Sequence, residues 1–384
     1  MPETIAVPVA TDLATYDIDA GRGFVPGTDP VPALAPRYRP WERLAADLGA
    51  LLMTGRLRAA VAALPELPTE HLDGPGERER AFLLLSCLGN AYMWAEPVAA
   101  ERFPAALAVP WCRLAEELGR PPILAHSSIV LTNWRRLVPD EPLSLTNIDT
   151  AVTFLGGVDE KWFYLATVGV ELAGAPALPL LAAAQHAVAA DDADRLTAAL
   201  RALEPVLAAT TRAFLDVERW CDPHVFYHRV RPFLAGWPAP GVVYEGVWDH
   251  PRVFTGASAA QSSLIQAFDA GLGVPHPHER TGGFLRGMRA HMPLPHRRFL
   301  ADLEAGPSVH DYAARRPDRP QLTDAYNACV RAVSELRARH LGLTGRYIGR
   351  FERSGAAKGT GGTDFVRLLV QAREETRARE LGGP

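Results

Sequence analysis

Cys329, Val333, Leu336, His340, Leu343 and Tyr347 follow one another at steps of four, three, four, three and four residues. That spacing puts them on one face of a helix, and it sets a histidine into an otherwise apolar stripe. An imidazole there can serve as a core residue bonded to a backbone carbonyl. It can equally ligate a metal or a haem iron, with its second nitrogen oriented by a nearby acceptor. In Phe226–Trp237 (FYHRVRPFLAGW) two arginines lie within an aromatic helix. Arg231, between Phe226 and Phe233, points near apolar surface and needs a carboxylate partner, supplied by the protein or by a ligand. Gly256–Ser263 (GASAAQSS) runs small and hydroxyl residues into an apolar helix. It reads as an ordinary N-cap loop, or as a place where something bulky approaches the backbone. Lys358–Thr363 (KGTGGT) is glycine-rich but is no P-loop, since its lysine comes first and no strand leads in. A substrate-covering loop and a flexible tail both fit it.

Other constellations are weaker. His224 and His228 have an i,i+4 metal spacing, but no HExxH or equivalent carboxylate accompanies them. His276 and His278 lie among prolines. The four cysteines, Cys87, Cys112, Cys221 and Cys329, form no CxxC or CxxCH pair, which disfavours zinc ribbons, thioredoxin-like sites and c-type haem attachment. No GxSxG elbow is present.

The chain has 384 residues, 48% hydrophobic and 22% charged, with 40 basic against 44 acidic side chains and a net charge of −4. Only Lys161 and Lys358 are lysine, a bias we attribute to genome composition. Neither nucleic acid nor an anionic membrane finds an electrostatic footprint here, and Arg286–Arg298 reads as a solvated basic face. The opening residues lack a basic region followed by an apolar run, so no secretory signal is expected. Residues 166–190 are interrupted by Glu171, Pro176, Pro179 and His186 and do not read as a lipid span. A cytoplasmic protein is expected.

These residues have to be positioned mainly by helices. Residues 1–40 carry seven prolines and read as an extended arm over the surface. Helical periodicity begins at Trp41. It continues through an all-round apolar helix over 80–93 and a helix from about 122 to 134, then over 160–175, 178–190, 193–220, 225–235, 259–272, 282–291, 296–303 and 322–350. Period-two strands are hard to find. The fold class is mostly α. A proline-rich segment near 140 divides a small N-terminal helical domain with its arm, 1–145, from a large C-terminal helical domain, 146–384.

Together these pieces resemble the indoleamine 2,3-dioxygenase family, bacterial-type members included. The resemblance is carried in order by Arg22–Phe24 (RGF), Ala91–Trp94 (AYMW), Pro121–Leu124 (PPIL) with Asn133–Trp134, Arg231–Trp237 (RPFLAGW), Val243–Gly246 (VYEG), Ser258–Ser263 (SAAQSS), Met292–Arg297 (MPLPHR), Arg337–His340 (RARH) and Lys358–Asp364 (KGTGGTD). It implies two helical domains, the larger enclosing a non-covalent haem b. It also implies addition of both atoms of O2 across the indole C2–C3 bond of L-tryptophan, giving N-formylkynurenine. In that reading His340 is the iron ligand and Arg231 grips the substrate carboxylate. Phe226 and Phe163 pack on the indole, Thr360 closes over the amino-acid head group, and Ala259 leaves room above the iron. Ser258, Asp269 and Arg337 neighbour the haem propionates. The resemblance further implies a monomer that draws on an unidentified reductant when its haem is ferric. Thr167 stands where many members have serine, and His126 where animal members usually have tyrosine, so the preferred indole is left open. Two rival readings stay open too: a haem enzyme of secondary metabolism acting on a modified indole, and a haem-binding sensor without turnover.

Overall fold

The computed structural model describes residues 6–352, 359–360 and 364–382. Its first long helix, α1 (Gly74–Trp94), is buried without a break from Arg80 to Ala91, as its all-round apolar sequence requires. Helix α2 (Ala105–Glu117) packs on it through Trp111, against Gly89, where a Cβ would lie 2.1 Å from the indole. Any side chain at 89 would push the two helices apart.

The larger bundle is built around α5 (Ala193–Leu215), which contacts α3 (Val158–Gly174), α4 (Ala177–Ala189) and α9 (Pro320–Tyr347). Glu160 anchors the start of α3, its carboxylate accepting the backbone N–H groups of Phe154, Leu155 and Gly156 at 2.6, 3.0 and 2.7 Å. Helices α6 (Ser263–Leu272), α7 (Glu279–Met288) and α8 (Leu294–Ala305) follow, and α10 (Phe365–Arg377) lies along α9. The stretch Val158–Ala189 is long and apolar enough to span a membrane by composition, but 67% of that window is buried inside the protein. It forms core instead.

Strands are minimal. β1 (Arg102–Phe103) pairs in parallel with β4 (Val243–Tyr244), and β2 (Trp134–Arg136) pairs antiparallel with β3 (Ile148–Thr150). The proline-rich segment near 140 is the loop of that second pair, held between β2 and β3. One apolar cluster joins α1 and α2 to α3, the 226–257 region and the end of α9; a second joins α4, α5, α6, α8 and most of α9.

The structure departs from the sequence expectations at four places. The helix expected from 122 to 134 shrinks to a π-helical turn, Ser127–Leu131, before β2 begins. Helices α2 and α10 were not expected at all. The arm is not merely laid over the surface: Val9, Tyr16, Ile18 and Phe24 are buried in the second cluster, with Tyr16 and Phe24 edge-on to Phe299. The Arg286–Arg298 stretch is no solvated face either, because it buries Met288, His291, Met292 and His296. The four cysteines are free thiols. Burial pushes Cys112, Cys221 and Cys329 up to about 12, and Cys87 further.

Two glycines make a backbone seam that the cavity described below depends on. Ala257 N–H donates to Leu234 O and Trp237 N–H to Phe254 O, both at 2.9 Å. A Cβ on Gly236 would lie 2.2 Å from Phe254 O and 2.4 Å from the nitrogen of Gly256. Backbone atoms cannot step aside as a flexible side chain does. Gly236→Ala is therefore expected to cost about 1–3 kcal/mol by overpacking, read as a lower thermal midpoint than that of a Gly283→Ala control, where a Cβ meets nothing within 4 Å.

Candidate active site

His340 comes to the surface of a deep, partly open cavity of about 230 Å3. On α9 it is followed one turn later by Leu343 and Thr344, and two turns later by Tyr347, all in the same wall. Helix α3 contributes Phe163, Ala166, Thr167 and Val170, again one helical face. The remaining walls come from irregular backbone. His126, Ile129 and Val130 lie in and beside the π-helical turn Ser127–Leu131, and Phe226, Arg231 and Leu234 in and after a second one, Phe226–Val230. A π turn redirects side chains that an α-helix would stack, and such turns recur at functional sites. Ala257–Ala260 form a floor of small residues, while Gly359, Thr360 and the first turn of α10 close one side.

His340 makes no hydrogen bond among the described residues and packs edge-on against Phe214 at 5.0 Å. Burial, helped by the charge of Arg337, pushes its pKa down to about 4. The imidazole is thus neutral at physiological pH, the form that ligates a metal. No group of three or more His, Cys, Asp or Glu side chains suited to a metal ion is present among the described residues. The rings of His224 and His228 meet at 4.4 Å, tilted to each other, beside Phe351. One neutral imidazole on an apolar-walled cavity fits a haem, whose porphyrin nitrogens supply the other ligands, and does not fit a bare ion.

Behind His340 lies a chain of buried charges. Arg337 donates to both Asp269 oxygens at 2.8 and 2.6 Å and to Thr376 Oγ1 at 2.6 Å. His276 bridges Asp269 (Nε2, 3.2 Å) and Glu375 (Nδ1, 2.6 Å). The cluster ties α6, α9, α10 and the 273–278 loop together. Burial raises Asp269, but Arg337 and His276 outweigh it and hold the carboxyl below its usual range. Burial lowers His276, but Asp269 and Glu375 outweigh it and hold the ring above its usual value. Of the three residues that the resemblance sets beside the propionates, Ser258 is in the cavity wall, while Asp269 and Arg337 face each other outside it.

The opposite wall is aromatic and sparsely polar. Phe163 and Phe226 meet at 4.6 Å, and Phe226 meets Tyr347 edge-on at 5.6 Å. Thr167 donates its hydroxyl to Phe163 O at 2.8 Å and Thr360 donates to Ala257 O. Arg231 lies 5.2 Å over the Tyr227 ring with Glu352 at 3.9 Å. A protein carboxylate is thus near it, though beyond hydrogen-bond length. Ser258 and Gln261 form a reciprocal capping box, and Gln261 Oε1 also accepts the backbone N–H of His126 at 3.0 Å. Lys358 and residues 361–363 lie outside the described residues, so of the glycine-rich motif only Gly359 and Thr360 are placed.

The family model described as Indoleamine 2,3-dioxygenase matches residues 12–379. The chain belongs to that family. It is 37% identical to indoleamine 2,3-dioxygenase 2 of Mus musculus, with 97% of this chain and 96% of that one covered. It is 34% identical to 6-hydroxytryptophan 2,3-dioxygenase of Fusarium equiseti (88% and 85% covered) and 30% identical to a protein named myoglobin from Haliotis madaka (95% and 97%). The indoleamine 2,3-dioxygenase family is haem-dependent, and His340 on its apolar cavity suits that cofactor. Sequence reasoning missed Glu171, Gln261, His276 and Glu375 as parts of the site's support. The one available signal was an isolated Glu171 within an apolar helix.

The buried charges give the fold a pH dependence whose sign is fixed. His276 is raised above 6.5 in the folded state, so its contribution is complete below pH 6.5 and is lost as pH rises through the folded-state value. Glu375→Gln removes one of the charges that hold the proton, and should bring that loss to lower pH. Denaturation midpoints across the neutral-to-alkaline range check this; superimposable pH profiles for native and variant protein would contradict it.

Proposed function

We propose that the chain is a haem-dependent dioxygenase that adds both atoms of O2 across the C2–C3 bond of L-tryptophan or a closely related indoleamine. The product is N-formylkynurenine, as in the first step of kynurenine-type catabolism. One observation carries this: a neutral imidazole with no hydrogen bond among the described residues, His340, and a guanidinium, Arg231, open onto the same aromatic-walled cavity. The imidazole is what a haem needs, and the guanidinium is what a planar carboxylate needs.

When bound through His340, the haem supplies oxygen activation and redox chemistry. The protein's own residues hold the indole. Arg231 offers a planar fork to the carboxylate, and Phe163 and Phe226, in contact with each other, present one aromatic wall to the ring, while Ala259 and its neighbours leave space at the floor. Thr167 is not a general base; its proton is given to Phe163 O and an alcohol hardly ionises near pH 7. Thr360 meets the cavity from the glycine-rich segment; its hydroxyl donates to Ala257 O, and its oxygen lone pair is left to accept from the substrate ammonium. The contribution of the chain is position and dryness.

The relative named for 6-hydroxytryptophan supports a ring-substituted indole as an alternative substrate, and the relative named myoglobin supports a haem protein without turnover. Arg231 and Thr360 on the cavity wall favour an enzyme, since neither is needed to hold haem. We further propose a cytoplasmic monomer of two helical domains meeting near residue 145, reduced by a separate donor when its haem is ferric.

Mixing anaerobic ferrous protein with L-tryptophan and then O2 should produce formylkynurenine absorbance; its absence with fully haem-loaded protein sinks the assignment. His340→Ala should lose the Soret band after haem reconstitution, whereas a tightly bound, native-like spectrum would place the ligand elsewhere. Arg231→Leu should raise KM for L-tryptophan by the equivalent of about 2–5 kcal/mol and leave the affinity for indole, which lacks a carboxylate, far less changed. Equal effects on both ligands would make Arg231 a structural ion-pair residue.

A further inference from the structure

Most polar groups on the cavity wall have already given away their protons. Thr167, Thr344 and Thr360 each donate to a backbone carbonyl, and Tyr347 donates to Cys221 O. With His340 assigned to haem and Arg231 to the carboxylate, one nitrogenous group is left over. His126 is 6% exposed and stands in the same wall. Its backbone N–H is pinned by Gln261, and its Nε2 lies 2.9 Å from Glu171 Oε1. Ser262 donates its hydroxyl to that same oxygen at 2.7 Å. Glu171 is 2% exposed, and its other oxygen is buried with no hydrogen-bond partner among the described residues.

A carboxylate only accepts, so Glu171 fixes a proton on Nε2 and leaves Nδ1 as the ring's second polar position. Nδ1 has no hydrogen bond among the described residues, and the ring borders the cavity. It is an acceptor when the ring is neutral and a donor when it is charged. The burial of the two ends orients a substrate. The side chains of Arg231 and Glu352 are each 18% exposed, whereas those of His126 and Glu171 are 7% and 2% exposed. A zwitterionic head group belongs at the wetter end, at Arg231, which turns the benzo edge of the indole toward His126.

We propose that His126, oriented by Glu171 and Ser262, is a specificity residue that receives a hydroxyl on the benzo edge of the indole. Ring-hydroxylated tryptophans are then preferred to ring-methylated ones of the same size. This rests on reading the cavity as a tryptophan dioxygenase site. A hydroxyl both donates and accepts, so it pairs with Nδ1 in either protonation state. A methyl group in the same place desolvates Nδ1 and returns nothing, the asymmetry by which a polar pocket rejects an apolar isostere.

The test compares 5- and 6-hydroxy-L-tryptophan with 5- and 6-methyl-L-tryptophan on haem-loaded protein. It uses kcat/KM, and dissociation constants from anaerobic equilibrium dialysis. The expected result is a hydroxy-to-methyl preference of about tenfold or more at one ring position, in both measures. His126→Phe should collapse that ratio to near unity. Because that variant strands Glu171, His126→Phe/Glu171→Met removes both partners together and should give the same collapse. Ring electronics act alike on native and variant proteins, so the change in the ratio is the reading. No preference in the native protein overturns the proposal. So does a preference that survives in whichever variant folds, while L-tryptophan is still oxidised. Failure of the loaded native protein to oxidise any of these indoles would instead overturn the dioxygenase reading itself, and this proposal with it.

Discussion

Four charges that water would otherwise hold separately are closed into one dry cluster behind the cavity. Asp269 and Glu375 carry two negative charges, Arg337 one positive, and His276 the second when protonated. Each alone would be costly to bury; together they balance. Their partners sit on α6, α9, α10 and the 273–278 loop, so the cluster can be complete only when those elements are assembled. Two of them, α9 and α10, present cavity residues on adjoining faces. The position of His340 and of the wall formed by Phe365 and Leu368 is therefore set by charge neutrality as much as by apolar packing.

The cavity itself shows the opposite economy. Its floor of small residues exists because Gly236 and Gly256 let two backbone strands touch, and its corners are turned by π-helical segments, not regular helix. Hydroxyls around the wall are tied back to carbonyls, which keeps the interior apolar without leaving buried donors unpaired. Against that background Arg231, His340 and His126 stand out as the groups able to address something inside.

Much of this was legible in the chain. The stripe from Cys329 to Tyr347 placed His340 on a buried face, and the structure buries every apolar member of it. The aromatic setting of Arg231 and the small residues from Gly256 to Ser263 marked two further walls. What was not legible depends on tertiary contact. His276 lies among prolines and carries no periodic signal, and Glu375 sits on α10, a helix the sequence reading did not expect, although Asp364 caps it and Phe365, Leu368 and Ala372 share a face. That Asp269 and Arg337 pair with each other was not visible in their spacing either. The π turn after His126 defeats a 3.6-residue count, so a full helix was expected where one wide turn stands.

The state of the thiols bears on durability. Apoproteins and enzymes that handle oxygen in the presence of iron meet peroxide, and a low-pKa cysteine is the usual first casualty. Here the four sulfurs are held protonated by apolar surroundings, three of them within the same clusters that build the bundle. With their thiols held protonated in this way, the cysteines present little of the thiolate that oxidants attack, so the exposed Met53 is the sulfur more open to oxidation.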